Sequence, residues 1–394
     1  MGTSFYSKLN AKEKYILMCC FFVFAVNGLY GMILGSLLPL ISSEYGLNNT
    51  ISGALLSAHQ VGNLIAGFIA GILPLYLGRK KSIMFLCSFV VVGFSIMILT
   101  GNPVLLILGF LFTGLSRGSI SNFNNAIVNE VSDSSPAALN ILHSIFAVGA
   151  IIAPFLVIFS TKIGGAGGWK IAAGVIIVLA IISILLFSKM EIDDRAKEKG
   201  KVKISYGFLK NKYFWMSAGI LFFYLCAEAT INGWLVKYFV DANIMTTQYA
   251  QILASILWVV ILVGRLICAF MGDRIPKAVL LTVLSVGTAG FYVLLLSTQS
   301  IQVITIAIMG LGLFMGGIYP TTIANTGRFI KEYPMSMGVL LMLGGVGAII
   351  MPIITGALAD SYGIYAGMSA IVVAIVLMVA CVTLNLIMKP STEI

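Results

Sequence analysis

The run VGAIIAP at residues 148–154 recurs almost unchanged as VGAIIMP at residues 346–352. The two copies stand 198 residues apart in a chain of 394. The same offset aligns further positions, namely Gly78-Arg79 with Pro276-Lys277, Gly114 with Gly312, and Gly118 with Gly316. Agreement at several separate places with one offset predicts a chain built from two duplicated halves.

The composition indicates where these halves reside. The chain is 59% hydrophobic and 10% charged, with a mean hydropathy of +1.04, which is too apolar for a soluble domain of this length. A helix needs about 20 mostly apolar residues to cross a bilayer. Twelve runs qualify, at about 15–41, 51–77, 82–100, 105–129, 137–161, 169–189, 212–240, 248–271, 278–297, 302–330, 336–360 and 364–388.

The longest polar segment, residues 190–211, separates six of these spans from the other six. We therefore predict an all-α membrane protein with an N-terminal six-helix half at 1–189, a cytoplasmic linker at 190–211 and a C-terminal half at 212–394. Two halves in the same orientation, related by an axis along the membrane normal, suit alternating access to a site near the middle of the bilayer.

The net charge of +10 follows the predicted topology. With the N-terminus inside, 19 of the 24 Lys and Arg residues face the cytoplasm, as the positive-inside rule requires. This distribution predicts that both termini are cytoplasmic, and it argues against nucleic-acid binding. All six cysteines lie in apolar spans without metal-ligand spacing, so we expect no metal and no cofactor.

Glu228 is the one carboxylate among 14 acidic residues that lies deep in a span, within YLCAEATINGWLVKY at residues 224–238. A charge at the bilayer centre costs about 2.5 to 3.5 kcal/mol on insertion scales, so such residues usually face a bundle interior and mark transport paths. Because low dielectric favours the neutral form of a carboxyl group, Glu228 is a candidate for proton coupling. The alternative is that it pairs with an arginine of a neighbouring helix to fix packing.

The basic loop GILPLYLGRK at residues 71–80 resembles the signature loop of the major facilitator superfamily, with Leu75 where an Asp is usual. Within that superfamily the chain resembles the fucose permease-like branch of sugar:proton symporters. The matching segments are LLP at 37–39, AGIL at 70–73, LN at 139–140, GAII at 149–152 and YPT at 319–321. The resemblance covers the whole length. It implies a monomer in a bacterial cytoplasmic membrane that moves a small-molecule substrate with a proton or sodium gradient.

Two departures from that branch concern its carboxylates. Gly35 stands where fucose permeases carry an acid in the first helix, and no Asp or Glu occurs between Leu105 and Asn129 in the fourth. Glu228 is therefore the remaining candidate for the coupling carboxylate. His143 is a second candidate for the proton path, because histidine titrates near neutral pH; the alternative is a hydrogen-bonded packing residue.

In this superfamily helices 1, 4, 7 and 10 line the cavity, and the polar residues of the predicted spans concentrate on those helices, largely at three- and four-residue spacing. The candidate substrate-binding residues are Asn27, Tyr30, Arg117, Ser121, Asn124, Asn125, Asn232, Trp234, Tyr319, Thr322 and Asn325. Their amide and hydroxyl groups suit a hydroxyl-rich solute, and Trp234 is placed to stack on a sugar ring.

Three further polar residues in the spans have competing interpretations. Arg117 either contacts substrate or forms an internal salt bridge; neutralised by Glu228 it would leave a site for a neutral sugar, and otherwise it would hold an anion. We expect Arg265 to be structural, bonded to backbone or acids near the cytoplasmic end, and His59 to be a lining residue.

A gate is predicted from two repeat-related loops. Arg79 and Lys80 lie in the first, and Asp273 and Arg274 in the second. We expect a charge contact between these loops to close the inner face in the outward-open state.

An enzyme finds no support, because the chain has two histidines, no H-E-x-x-H pattern and no phosphate-binding loop. We expect a secondary-active, proton-coupled symporter of a sugar or other small polar solute. The alternative is an exporter of drugs, lipid-like compounds or organic anions by proton antiport, because VGAIIAP is similar to an exporter signature.

Overall fold

The computed structural model describes residues 9–133, 135–191, 207–271, 274–326, 333 and 335–387. The α-helices in this part of the chain are α1 Ala11–Tyr45, α2 Asn49–Ile72, α3 Pro74–Leu77, α4 Arg79–Leu99, α5 Pro103–Val131, α6 Pro136–Gly164, α7 Trp169–Lys189, α8 Lys212–Asp241, α9 Thr247–Met271, α10 Lys277–Leu296, α11 Ile301–Met315, α12 Ile318–Asn325, α13 Met335–Tyr362 and α14 Ile364–Ile387. Short 3₁₀ turns lie at Gly165–Gly168 and Gly207–Lys210.

The all-helical membrane fold is confirmed. Eleven described stretches are long and apolar enough to cross a bilayer, and one of them, Ala138–Lys189, contains both α6 and α7. The twelve predicted spans thus correspond to α1, α2 with α3, α4 to α10, α11 with α12, α13 and α14. Many large apolar side chains are exposed, such as Leu99 and Phe68, as expected of helices that face lipid.

The chain forms two compact units, one of Met1–Leu47 with Ala58–Glu198 and the other of Asn48–Ser57 with Lys199–Ile394. The predicted halves fall in separate units, but the first turns of α2 group with the second unit. The predicted linker at 190–211 lies mostly outside the described residues, and its cytoplasmic side stays a prediction.

The start of α2 groups with the second unit because Asp360 of α13 caps it. The Asp360 carboxylate accepts from the Asn49 amide at 2.8 Å, the Thr50 amide at 2.7 Å and the Thr50 hydroxyl at 2.6 Å. The first amides of a helix have no partner within it, so a carboxylate at this place satisfies two of them. The backbones of the two helices also meet closely, since a Cβ on Gly356 would overlap the Asn49 carbonyl oxygen.

The repeated glycines perform the same packing task in both units. A Cβ on Gly149 of α6 would overlap the Ala25 carbonyl oxygen of α1, and a Cβ on Gly347 of α13 would overlap the Phe222 carbonyl oxygen of α8. In each unit the glycine lets the backbones of two helices touch, as small residues do at membrane helix interfaces. The VGAII run is therefore explained by helix packing.

We expect Gly149→Leu to lower the thermal unfolding midpoint of the purified protein, because the new side chain must push α6 away from α1. Overpacking of this kind typically costs about 1–3 kcal/mol and occasionally more. The matched control is Gly174→Ala in α7, where a Cβ meets nothing within 4 Å, and where alanine favours the helix by up to about 1 kcal/mol. Equal midpoints for the two variants would contradict the packing explanation.

The signature-like loop folds as α3 followed by a single turn residue. Gly78 has φ +76°, a conformation that glycine adopts without strain, and α4 begins at the next residue, Arg79. Leu75 is 69% exposed in α3.

The tenth predicted span is interrupted. Helix α11 ends at Met315 and α12 begins at Ile318, with Gly316 and Gly317 between them. Pro320 has no amide hydrogen to offer the carbonyl of Gly316, which weakens the helix at this point. A Cβ on Gly316 would also overlap the Ile261 carbonyl oxygen of α9, so the break lies directly against α9.

Candidate functional site

Arg117 of α5 is enclosed by three other helices of the first unit. Its Nη1 lies 3.5 Å from Nε2 of His59 on α2, and its guanidinium carbon lies 5.9 Å from the ring centre of Phe146 on α6. Gly31 of α1 makes room for it, since a Cβ there would stand 2.8 Å from Arg117 Nε. The side chain is therefore held at a defined place, with a cation–π contact on one side.

Two predicted residues of α1 meet the same stretch of α5. The Asn27 side-chain amide donates to the Arg117 carbonyl oxygen at 3.2 Å, and the Tyr30 hydroxyl donates to the Ser116 hydroxyl at 3.4 Å. Oδ1 of Asn27 is buried and has no hydrogen-bond partner among the described residues. The structure thus brings Asn27, Tyr30 and Arg117 together through contacts between α1 and α5, and their role in substrate binding stays a prediction.

His59 is the residue of this cluster that sequence reasoning undervalued. Its Nδ1 lies 2.9 Å from the Thr113 hydroxyl while its Nε2 faces Arg117. The ring is buried, with 3% of its surface exposed, so it links α2 to the polar face of α5 and is more than a lining residue. Its pairing depends on packing between helices, which residue spacing along one helix does not reveal.

The remaining α5 candidates divide into two kinds. The Asn125 side-chain amide donates to the Ser121 carbonyl oxygen at 2.8 Å within the helix. Asn124 is fully buried, and neither its oxygen nor its nitrogen has a hydrogen-bond partner in the described part of the chain. Asn124 therefore retains its full hydrogen-bonding capacity, and Asn125 part of it.

In the second unit Glu228 lies at the break between α11 and α12. The Tyr224 hydroxyl is 2.9 Å from Glu228 Oε1 and 3.2 Å from the carbonyl oxygen of Met315, the last residue of α11. One phenol thus connects the partly buried carboxylate to the end of a neighbouring helix. Gly316 and Gly317 keep right-handed helical dihedral angles, so the break is a local loss of helix hydrogen bonding and not an unwound segment.

Arg265 of α9 is the ion partner of Glu228 in this unit. The shortest distance, from Nη2 to Oε1, is 3.9 Å, and the side chains are 36% and 16% exposed. The expectation that Arg265 is bonded to backbone or acids agrees with this ion pair, although the acid is the one deep carboxylate of the sequence; that Arg265 has only a structural role stays a prediction. Glu228 pairs with a neighbouring arginine, and at 3.9 Å the pair is too far apart for a hydrogen bond.

The other candidates of the second unit have mostly local roles. The Asn232 side-chain amide donates to the Glu228 carbonyl oxygen at 2.9 Å, and the Thr322 hydroxyl to the Ile318 carbonyl oxygen at 2.8 Å. The Asn325 amide donates to Asn385 Oδ1 at 3.1 Å.

Tyr319 lies near the Glu228–Arg265 ion pair, whereas Trp234 is closed off from any ligand. Tyr319 is partly buried and lies within electrostatic range of both Glu228 and Arg265. Trp234 is fully buried, so the expectation that it stacks on a sugar ring is wrong in this conformation, because neither face of its ring is accessible.

The structure describes His143, the predicted proton relay, and three of the four predicted gating residues. His143 is exposed on α6 and meets the ring of Phe24 edge-on, with 5.6 Å between the ring centres. Arg79 forms an ion pair with Glu130 at 2.9 Å in the first unit. The Arg274 guanidinium lies 4.2 Å from the ring centre of Phe270.

Asp273 lies outside the described residues. Lys80 is part of the first turn of α4. The gating contact between the two loops stays a prediction.

Comparison with known proteins assigns this arrangement to a family. The family model described as Major Facilitator Superfamily matches residues 20–250 and 222–393. "Bypass of stop codon protein 6" of Saccharomyces cerevisiae is 22% identical over 392 residues, which cover 89% of this chain and 78% of that protein. The hexuronate transporter of Bacillus subtilis is 24% identical over 394 residues, which cover 91% and 90%.

Among solved structures, the nucleoside transporter NupG superposes with a TM-score of 0.74 over 96% of this chain and 99% of that chain, at 15% identity. A bacterial homologue of the human lysosomal transporter Spinster superposes with a TM-score of 0.77 over 96% and 98%, at 14% identity. Likeness at this level of identity shows the fold. With the family match over nearly the whole length, it follows that the chain belongs to the Major Facilitator Superfamily and is a multi-pass membrane transporter, not an enzyme.

Proposed function

We propose that the chain is a proton-coupled symporter that takes up a sugar, a sugar acid or a similar small polar solute by alternating access. The observation that carries the proposal is the partly buried carboxylate of Glu228, which lies between the Tyr224 hydroxyl and the Arg265 guanidinium beside the end of α11. Proton coupling requires a carboxyl group inside the bundle that binds a proton in one conformation and releases it in another, and Glu228 is the candidate for this role.

The comparisons support the class of solute. The relative from Bacillus subtilis is a hexuronate transporter and NupG is a nucleoside transporter, so both names refer to polar, hydroxyl-bearing compounds. The first unit supplies partly exposed polar side chains suited to such compounds on Arg117, Ser121 and Asn125, whereas Asn27, Tyr30 and Asn124 are buried in this conformation. The likeness to the fucose permease-like branch is part of this proposal, with Glu228 as its coupling carboxylate.

The proposed setting is a bacterial cytoplasmic membrane, with the chain working as a monomer and both termini in the cytoplasm. The distribution of basic residues supports this orientation, since 19 of the 24 fall on one predicted side. Export finds less support, because its signature-like run is explained by the packing of Gly149 against α1 and of Gly347 against α8.

Uptake into proteoliposomes tests the proposal. We expect an acid-outside pH gradient to drive accumulation of at least one of three probes, D-glucose, D-glucuronate or uridine, and a protonophore to abolish the accumulation. Accumulation that follows a sodium gradient and ignores the protonophore would reassign the coupling ion. Extrusion of a lipophilic cation, with no uptake of the three probes, would replace the proposal by proton-driven export.

A further inference from the structure

We propose that Arg265 forms an anion-binding subsite at which a carboxylate of the substrate takes the place of Glu228 when Glu228 is protonated. The inference rests on the proposed function and narrows its substrate class to carboxylate-bearing polar solutes such as hexuronates. It also assigns Arg265 a direct role in recognition.

The first argument is the unused hydrogen-bonding capacity of Arg265. A guanidinium presents five N–H donors in a planar fork that matches a carboxylate. Glu228 Oε1 approaches only to 3.9 Å and instead accepts the Tyr224 hydroxyl at 2.9 Å. Nε of Arg265 is buried and has no hydrogen-bond partner among the described residues. Glu228 therefore offsets the charge of Arg265 without accepting its hydrogen bonds, which a better-placed carboxylate would do.

The second argument is that few charges of the described residues surround this pair. Within that part of the chain, Tyr224 and Tyr319 lie within electrostatic range of both Glu228 and Arg265. The charges of Lys237 and Asp241 lie near the end of α8, where they pair with each other at 2.7 Å. The helices α13 and α14 also pack against α8, and their titratable groups are Asp360, Tyr362, Tyr365 and Cys381.

None of these groups competes for Arg265. Asp360 is engaged by the start of α2, Tyr362 and Tyr365 flank the turn that joins α13 to α14, and the Cys381 thiol lies beside Gly219, nine residues before Glu228 in α8. The protonation state of Glu228 therefore decides whether the Arg265 charge is offset by the protein or by a ligand.

The third argument is the charge balance of the site. With Glu228 ionised and no ligand, the carboxylate and the guanidinium sum to zero. When one proton from water forms an O–H bond on Glu228 and one monoanion binds Arg265, the sum is again zero. A proton alone leaves the site positive, and an anion alone leaves it negative. Because an uncompensated buried charge is costly, the two singly loaded states are disfavoured, and one proton moves with each anion.

Binding to the purified full-length protein tests the proposal without a gradient. The probes are D-glucuronate with D-glucose and D-galacturonate with D-galactose, each measured at mildly acidic and mildly alkaline pH. We expect at least one acid to bind more tightly than its neutral partner, and to do so at acidic pH. Glu228→Gln, which mimics the protonated side chain, should keep acid binding at alkaline pH.

The role of Arg265 is tested by comparing two variants that differ only at position 265. Glu228→Gln is compared with Glu228→Gln Arg265→Gln, because the double variant leaves no unpaired charge in the site and is the one expected to fold. Loss of a charge-assisted bidentate contact should weaken acid binding by about ten- to a hundredfold. Lys162→Gln, which removes an exposed positive charge at the end of α6, should leave acid binding unchanged.

Three results would overturn the proposal. They are an absence of binding by either acid, equal binding of acids and neutral sugars, and acid preference that survives in the double variant. If the double variant does not fold, the pH dependence of acid binding by the Glu228→Gln variant decides whether the proposal stands. Failure of the proposed function is a different result, because a chain that binds glucuronate through Arg265 but does not accumulate it with protons would retain the subsite and lose the coupling.

Discussion

Replacing Glu228 by glutamine is expected to abolish proton-driven accumulation of solute and to preserve exchange of solute across the membrane. Glutamine has nearly the shape of glutamate, and its carbonyl oxygen can still accept the Tyr224 hydroxyl, which lies 2.9 Å from Glu228 Oε1. It cannot bind and release a proton at any accessible pH. The variant should therefore complete the conformational cycle with substrate bound and gain nothing from a pH gradient.

The expected effect is large. With one proton per solute, a gradient of one pH unit is worth about 1.4 kcal/mol, or about a tenfold accumulation. The Glu228→Gln variant should stop at equal concentrations inside and outside, whereas counterflow of labelled against unlabelled solute should continue. Both quantities are measured in the same proteoliposomes with the solute identified by the uptake screen.

The matched control is Asp133→Asn. Asp133 is an exposed acid with φ +52°, a conformation that asparagine tolerates well, so the variant removes a carboxylate without straining the chain. It should accumulate solute as the unmodified protein does. Normal accumulation by Glu228→Gln would exclude Glu228 as the coupling residue.

The isolation of Glu228 was visible in the sequence, and the identity of its partner was not. An acid inside an apolar run can be recognised from composition alone, because the cost of burying it demands a reason. Arg265 lies 37 residues further along the chain on another helix, and its closeness to Glu228 depends on how α8 and α9 pack. Residue spacing shows which residues share one face of a helix, but it does not show which face of a neighbouring helix packs against that face.

The internal repeat was more informative about packing than residue spacing was, because its aligned glycines mark equivalent helix contacts in the two units. Gly149 and Gly347 were aligned by identity at one offset, and both permit backbone contact between two helices. The interruption at Gly316 and Gly317 had a sequence signal too, in two adjacent glycines followed by Pro320. What the sequence does not show is that the Met315 carbonyl oxygen at this break accepts the Tyr224 hydroxyl of another helix.

For Trp234 the sequence predicted a ligand contact that the structure does not support. Its position near Glu228 on a cavity-lining helix favoured contact with a ligand, yet the side chain is fully buried. An aromatic residue in a membrane helix gains as much from packing as from binding, and the two outcomes share the same sequence pattern. The role of the polar residues around Arg117 in substrate binding stays a prediction, because buried amides and hydroxyls also bond neighbouring helices, as Asn27 and Tyr30 bond α5.

Arg265→Ala and Arg117→Ala are expected to combine differently with Glu228→Ala when the free energy of unfolding is measured. Removing either member of the Glu228–Arg265 pair leaves the other charge without its partner. For a fully buried pair that costs about 3–5 kcal/mol, and for an exposed pair at most about 1 kcal/mol. With side chains 36% and 16% exposed, we expect a coupling energy of about 1–3 kcal/mol, so that the double variant loses much less than the sum of the single variants.

For Arg117 we expect the changes in the free energy of unfolding caused by Arg117→Ala and Glu228→Ala to be additive. Arg117 is held by His59 at 3.5 Å and by the ring of Phe146, whereas the charge of Glu228 is offset by Arg265 in its own unit. The effects of Arg117→Ala and Glu228→Ala should therefore add within about 0.5 kcal/mol, because each charge is expected to keep its own local contacts when the other is removed. Denaturant unfolding of the unmodified protein, the three single variants and the two double variants measures both cycles. Strong coupling of Glu228 to Arg117, with none to Arg265, would transfer the ion pair to Arg117 and remove the basis for an anion subsite at Arg265.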